Sequence, residues 1–459
     1  MARLETEAAD RSGRAQPDLA GIMVVEVDDA AIADVARTLQ ASPLVEYVYY
    51  ERLGMPPPGT AALGPVAGAG FAAGGSPGSG DGCSDLMPLT PDFRGFQGYH
   101  EADPGIDMVS AWAHPGGRGE GVRVADCEYW FREGHEDLCG VIPEPGHTPD
   151  PEIFVLGWEE HGTAVLGQIT GGDNGYGVTG LVPDAQALFF PEWTIEGGSR
   201  RIGAISSAIG AVDAGDVVLL EMQTVGPGGD FAPAELDPTV WVVTRVGADR
   251  GVIMVAAAGN GAQDLDSPAY AGYRDRGDSG AIIVGAGSPD RRHDALFFST
   301  FGSRVNVQGW GSNVFTTGYG DFARPGGDPD QGYTGFFGGT SSASPIVASA
   351  AASLQGIAKA RGALLSPEEM RDLLVSTGVP QGAGGHIGPL PDMAAAIDAL
   401  LAGLCAADFN GDGALDAFDF LEFQAAFDGG DARADIDTDG SLTLYDFLAF
   451  FNAFESGCG

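Results

Sequence analysis

The middle of this 459-residue chain predicts an α/β fold built on a mostly parallel sheet with helices on both faces. The first observation is a set of short apolar runs at 122–125, 217–220, 252–257 and 281–284, each bounded by turn residues. The second is that helical patterns at 163–169 and 202–211 alternate with them. Continuous apolar strands separated by helices indicate parallel strands covered on both sides. The third is composition, since 44% hydrophobic and 9% aromatic residues suffice for a large core. In such sheets chemistry collects at the carboxyl ends of the strands.

The chain divides into four stretches. Within residues 1–53, the stretch 22–53 reads as strand, helix, strand: an apolar, β-branched run at 22–27, then Ala30, Ile32, Val35, Ala36 and Leu39 at helical spacing, then LVEYVYY at 44–50. Residues 54–90 are crowded with Pro, Gly, Ala and Ser and read as a linker without a packed core. Residues 91–403 carry the alternating pattern. Residues 404–459 hold twelve acidic residues against Arg433 and repeat with a period of 27: DFNGDGALDAFDFLEFQAAF begins at Asp408 and DIDTDGSLTLYDFLAFFNAF at Asp435.

Charge excludes two function classes. Asp and Glu number 64 against 23 Lys and Arg, a net charge of −41, and the sole lysine is Lys359. Such a surface repels phosphate, so nucleic acid and anionic membrane are not partners. No apolar run approaches the ~18 residues of a spanning helix. The segment MARLETEAADRSGRAQPD lacks the apolar core of a secretory signal, so the true start is expected upstream.

Three segments of 91–403 carry nucleophile chemistry. Asp126 ends the run GVRVA, His161 opens HGT at the head of a helix, and Ser341 lies in GTSSASP before a small-residue helical run. A serine hydroxyl needs a base beside it, and the base needs a carboxylate to fix its tautomer. Gly259-Asn260 follows the apolar run VIMVAAA, where an amide would donate to a developing oxyanion.

These segments, in the order Asp…His…Ser, resemble the subtilisin-like serine peptidase family over about residues 91–400. The resemblance implies endopeptidase activity, with Ser341 as nucleophile, His161 as base, Asp126 as acid and Asn260 as oxyanion donor. Two segments depart from the family. Asp126-Cys127-Glu128 stands where Asp-Thr-Gly or Asp-Ser-Gly is usual, ahead of His135-Glu136-Asp137-Leu138 at a lengthened spacing, and Glu128 and Asp137 remain rival acids. Glu221-Met222-Gln223 replaces Ser-Leu-Gly, so substrate preference does not transfer. Residues 1–53 resemble the later part of the family's inhibitory propeptide, with removal expected between Gly54 and Cys83.

In the acidic tail, Asp408, Asn410, Asp412, Ala414 (through its carbonyl), Asp416 and Asp419 fill calcium-loop positions 1, 3, 5, 7, 9 and 12, with Gly413 at the sixth. Asp435, Asp437, Asp439, Ser441, Thr443 and Asp446 do so again, with Gly440 at the sixth. The tandem loops, each closed by Asp and followed by an F/Y-D-F-L-x-F helix, resemble a type I dockerin. This implies two calcium ions and a cohesin-like receptor. Cys405 and Cys458 bracket the module and are expected to pair, while Cys127 and Cys139 pair unless Cys83 intervenes. Calcium, propeptide and disulfide together place the protein outside the cell or on its surface. The other reading is an inactive subtilisin fold displayed as a scaffold through the calcium module.

Overall fold

The computed structural model describes residues 2–45 except 24, 26 and 29, residue 48, and residues 84–404, 407–410, 414–436 and 441–456. Among them, seven strands form one all-parallel sheet: β1 (Arg123–Glu128), β2 (Ile142–Pro143), β3 (Gln186–Pro191), β4 (Val217–Leu220), β5 (Ile253–Ala257), β6 (Ile282–Gly287) and β7 (Val307–Trp310). Their spatial order is β7-β6-β5-β4-β1-β3-β2. The four expected strands are all present, and β2, β3 and β7 join them.

Side chains alternate along each strand and so build two cores. Val124, Val217, Leu219, Ile253, Val255, Ile282 and Val284 face one way, against the helix Thr340–Lys359. That helix is rich in Ala and Ser and buried over nearly its whole length, because small side chains let it lie close on the sheet. Ala125, Cys127, Val218, Leu220, Met254, Ala256 and Ile283 face the other way, against Arg201–Ala211 and Pro238–Asp249. Helices on both faces give the layered α/β architecture that the sequence predicts.

Alternation also explains where the expectation for β1 fails. The strand runs to Glu128, three residues beyond 125. Asp126 is paired in register with Phe189 and Leu219, inside the sheet rather than at its end. Asp126 and Glu128, two residues apart, project from the same face, with Glu128 at the carboxyl edge.

The N-terminal region differs more. The helix expected around Ile32 forms at Ile32–Gln40, but Ile22, Met23, Val25, Val27, Leu44, Val45 and Val48 lie in no strand. Their neighbours 24, 26, 46, 47, 49 and 50 lie outside the described residues, as does the proposed cleavage region. A helix at Ala2–Ser12, which the apolar spacing does not announce, buries Leu4 and Ala8, joined by Leu19, in the second core. Arg250 pairs with Glu7 at 2.6 Å and Arg14 with Asp249 at 3.2 Å. Both anchors lie between the end of Pro238–Asp249 and the start of β5, at the pole opposite the strand ends. Residues 2–20 are thus bound where they leave the carboxyl edge of the sheet open.

The tail forms two helices, Ala417–Gly429 and Leu444–Ser456, around a small aromatic core in which Phe423 stacks on Phe450 with ring centroids 4.4 Å apart. The Cys405–Cys458 clasp lies outside the described residues. Cys127 is free and buried while Cys139 is disulfide-bonded, so the expected Cys127–Cys139 pair is corrected. Cys127 points from β1 into the second core, and Cys139's partner lies outside the described residues.

The docked helix generates a test. Leu4→Ala removes a core side chain and is expected to lower the unfolding free energy by about 2–3 kcal/mol, read by urea denaturation. A change near zero would show that the helix is not part of the folded unit.

Candidate active site

His161 sits in the first turn of the helix Glu159–Thr170, beside the carboxyl end of β1. Thr316 and Thr317 hold that helix from below, donating to the carbonyls of Ala164 at 2.7 Å and Thr163 at 2.6 Å. Gly162 is required by close approach: a Cβ there would stand 2.3 Å from the Trp130 carbonyl oxygen and 2.8 Å from Glu128 Cγ. Glycine after the histidine therefore lets the helix settle onto the β1 carboxylate.

That carboxylate is Glu128. Its Oε2 meets His161 Nδ1 in a short hydrogen bond, and its Oε1 accepts the Tyr129 N–H at 2.7 Å. Asp126, expected as the acid, is 1% exposed, and neither of its carboxyl oxygens has a hydrogen-bond partner. The correction has a geometric cause, since Asp126 lies two residues deeper in the sheet and cannot reach a ring held at the edge. Asp137, the other rival, is occupied elsewhere by Asn174, the Val178 N–H and the Tyr333 hydroxyl. Counting from Glu128 also shortens the interval to His135-Glu136-Asp137-Leu138 by two residues. That interval was the signal for Glu128.

Ser341 occupies the first turn of Thr340–Lys359. Its neighbours are committed: Ser342 donates toward the Trp310 carbonyl at 2.7 Å, and Ser344 is 2.7 Å from the Thr340 carbonyl. Phe337, just ahead of this turn, packs against the His161 ring at 5.4 Å between centroids. His161 Nε2 has no hydrogen-bond partner, so the Ser341–His161 link is not closed in this structure. Hydrogen bonds of this kind often tighten only with substrate in place.

Asn260 follows β5 at Gly259, whose φ of +93° and whose approach to the Ala232 backbone, 2.8 Å from a notional Cβ, both require glycine. Asn260 Oδ1 accepts from the Thr340 N–H at 2.8 Å and from the Thr340 hydroxyl at 3.1 Å. With its oxygen engaged, the amide NH2 is left as the donor beside Ser341. The structure thus brings His161, Ser341 and Asn260 to one edge, with Glu128 in place of Asp126.

The site is acidic and buried. Burial raises the carboxyls of Asp126, Glu128 and Glu221 well above their ordinary range, and nearby Glu128 raises Asp126 further. Burial also lowers His161. Carboxyls this close cannot all ionise. Glu128 has two N–H donors and Asp126 has none, so the single charge belongs on Glu128.

A subtilase family model matches residues 132–388, more than half of the chain. This chain belongs to the subtilase family. The match begins just past β1, where the acid segment departs from the family pattern. Subtilisin DY of Bacillus licheniformis is 28% identical over 282 residues, covering 61% of this chain and 91% of that protein. The intracellular serine protease of Paenibacillus polymyxa is 29% identical over 299 residues, covering 62% and 83%. A protease of known structure from Pseudoalteromonas arctica superposes with a TM-score of 0.50 at 22% identity, covering 68% of this chain and 99% of that one. The subtilase is thus a subtilisin-like serine protease in fold and class.

In the acidic tail, the last residue of each loop repeat closes over its loop. Asp419 accepts from the N–H groups of Asn410 at 3.2 Å and Asp416 at 2.8 Å. Asp446 accepts from Ile436 at 2.8 Å and Thr443 at 2.7 Å. Both carboxylates are fully buried. Asp408, Ala414, Asp435 and Ser441 are described, whereas Asp412, Gly413, Asp437, Asp439 and Gly440 lie outside the described residues. No group of three His, Cys, Asp or Glu side chains able to hold a metal occurs among the described residues.

Exchanging the two β1 acids discriminates between them. Glu128→Gln is expected to lower kcat/KM on a chromogenic peptide by about 10³–10⁴, and Asp126→Asn by less than about tenfold. The opposite ranking would restore Asp126.

Proposed function

We propose that the subtilase is an endopeptidase working through Glu128, His161 and Ser341. The observation that carries this is the Glu128–His161 bond, which holds the proton on Nδ1 and leaves the Nε2 lone pair without a partner. His161 takes the Ser341 proton as Oγ attacks the scissile carbonyl, and the charge moves to the carbonyl oxygen. The Asn260 amide and the Ser341 backbone N–H hold that oxyanion. Its collapse expels the amine, which takes the proton from His161, and water then releases the acyl group by the same steps.

The open Nε2 also supports a second reading, an inactive subtilisin fold that serves as a scaffold. A fluorophosphonate probe separates the two. Labelling of the full chain that disappears in Ser341→Ala is expected, whereas a folded wild type that never labels would leave the scaffold.

Within the same proposal, residues 404–459 form a dockerin-like module holding two calcium ions. The two buried Asp closures in a segment of net charge −11 fit a hard cation with oxygen ligands. Asp408, Asn410, Ala414, Asp416 and Asp419 would hold one ion, and Asp435, Ser441, Thr443 and Asp446 the other, completed by Asp412, Asp437 and Asp439. Bound ions would offset the module's charge and order its loops. Exposed Phe418, Leu421, Leu444, Tyr445, Leu448 and Phe451 give its helices an apolar surface suited to a cohesin-like receptor. An extracellular or cell-surface location is part of the proposal, although the Paenibacillus polymyxa relative is named as intracellular. A propeptide role for residues 1–53 is likewise part of the proposal.

Chelation tests the module. Removing calcium is expected to abolish amide-exchange protection at 404–459 while leaving 91–403 protected. Unchanged protection in the tail would argue against a metal.

A further inference from the structure

Glu221 is the buried acid that the proposed mechanism does not use. It follows β4, its N–H donates to the Cys127 carbonyl at 3.2 Å, and the residue is 5% exposed. One oxygen, Oε1, is in short contact with the Ser344 hydroxyl, while Oε2 has no hydrogen-bond partner. Ser344 is in the first turn of the nucleophile helix, three residues after Ser341.

The hydrogens decide the state of Glu221. Ser344 Oγ lies within bonding distance of two oxygens, Glu221 Oε1 and the Thr340 carbonyl, the latter at 2.7 Å. A hydroxyl has one hydrogen to donate. One hydrogen cannot serve both contacts fully, and serines in helices commonly give it to the carbonyl one turn back, here Thr340. The remaining close contact then needs a hydrogen from Glu221.

We propose that Glu221 is held as a neutral carboxylic acid that donates to Ser344, and is thereby a positioning residue for the nucleophile turn. This rests on the peptidase reading. The groups facing it agree. From β1 come Asp126 and Glu128, from the helix Glu159–Thr170 comes His161, and from the nucleophile helix comes Ser344. The guanidinium of Arg201, which donates to the Gln223 carbonyl at 3.3 Å, is paired with Glu192 at 2.7 Å. Burial, Asp126 and Glu128 all oppose ionisation, with His161 and Ser344 opposing them in turn. A carboxyl raised in the folded state contributes stability that is complete below its unfolded value and is lost as pH rises through its folded value. Alkali therefore removes the Ser344 bond and adds a second charge beside Glu128.

The test compares wild type with Glu221→Gln and Glu221→Ala by the rate of fluorophosphonate labelling across roughly pH 5–10. Glutamine stays neutral and still donates to Ser344, so its alkaline limb is expected to lie at least about one pH unit above that of wild type. Alanine is expected to label more slowly than glutamine at every pH, by about tenfold or more. Coincident alkaline limbs for wild type and Gln, or a Gln variant as slow as Ala, would overturn the proposal. Infrared spectra of the full chain at neutral pH provide a readout independent of activity. A protonated-carboxyl band that loses intensity in Glu221→Gln, with the contribution of Asp126 remaining, is expected, and identical bands in the two proteins would overturn the assignment. A band difference in a wild type that never labels would refute the peptidase reading, and with it the positioning role, while leaving the proton on Glu221.

Discussion

The site depends on one contact, the carboxylate of Glu128 directly on the imidazole of His161 at the edge of a parallel sheet. The contact requires the strand to end at that residue, the helix to carry glycine next to the histidine, and Thr316 and Thr317 to hold the helix down. Each condition is met by a different element. The longer Glu side chain reaches the ring where the family usually has Asp. The base is thus fixed by packing as much as by charge, and the acid segment can drift in sequence while the ring stays in place.

Most of the fold was legible in the sequence because it rests on a strong signal. Strands buried on both faces must be apolar throughout, and β4, β5 and β6 are. The segments that carry Ser341, His161 and Asn260 were legible for a related reason, since each stands at a turn where few residues fit. The carboxylate that meets the His161 ring was not. Asp126 and Glu128 alternate in phase, so pattern alone cannot say which reaches the edge, and the answer turns on whether the strand stops at 125 or 128. The helix Ala2–Ser12 was illegible too, because only Leu4 and Ala8 form its buried stripe and polar residues surround them. At 22–27 a β-branched run suggested a strand, but strands need a neighbour to pair with, and the described residues there have none.

Three buried carboxyls around one imidazole would be untenable if each were charged. The structure resolves this by unequal hydrogen bonding. Glu128 receives two N–H groups and carries the charge; Asp126 receives none. Net acidity elsewhere is handled differently, on the surface and in the tail, where solvent and counter-ions screen it. The chain's −41 is therefore mostly a statement about its exterior.

The docked first helix has a consequence for autolysis. Under the proposed endopeptidase activity, other copies of the chain are themselves peptide substrates. A cut anywhere between residue 22 and residue 83 severs the peptide link to Ala2–Ser12 but not the Glu7–Arg250 pair or the packing of Leu4 and Ala8. The nicked molecule would persist as two chains, with the short one retained only by its own affinity. Dilution would then matter where it did not before, because a tether that kept the helix at high local concentration is gone. Old preparations of such an enzyme would lose robustness on dilution before losing their active site.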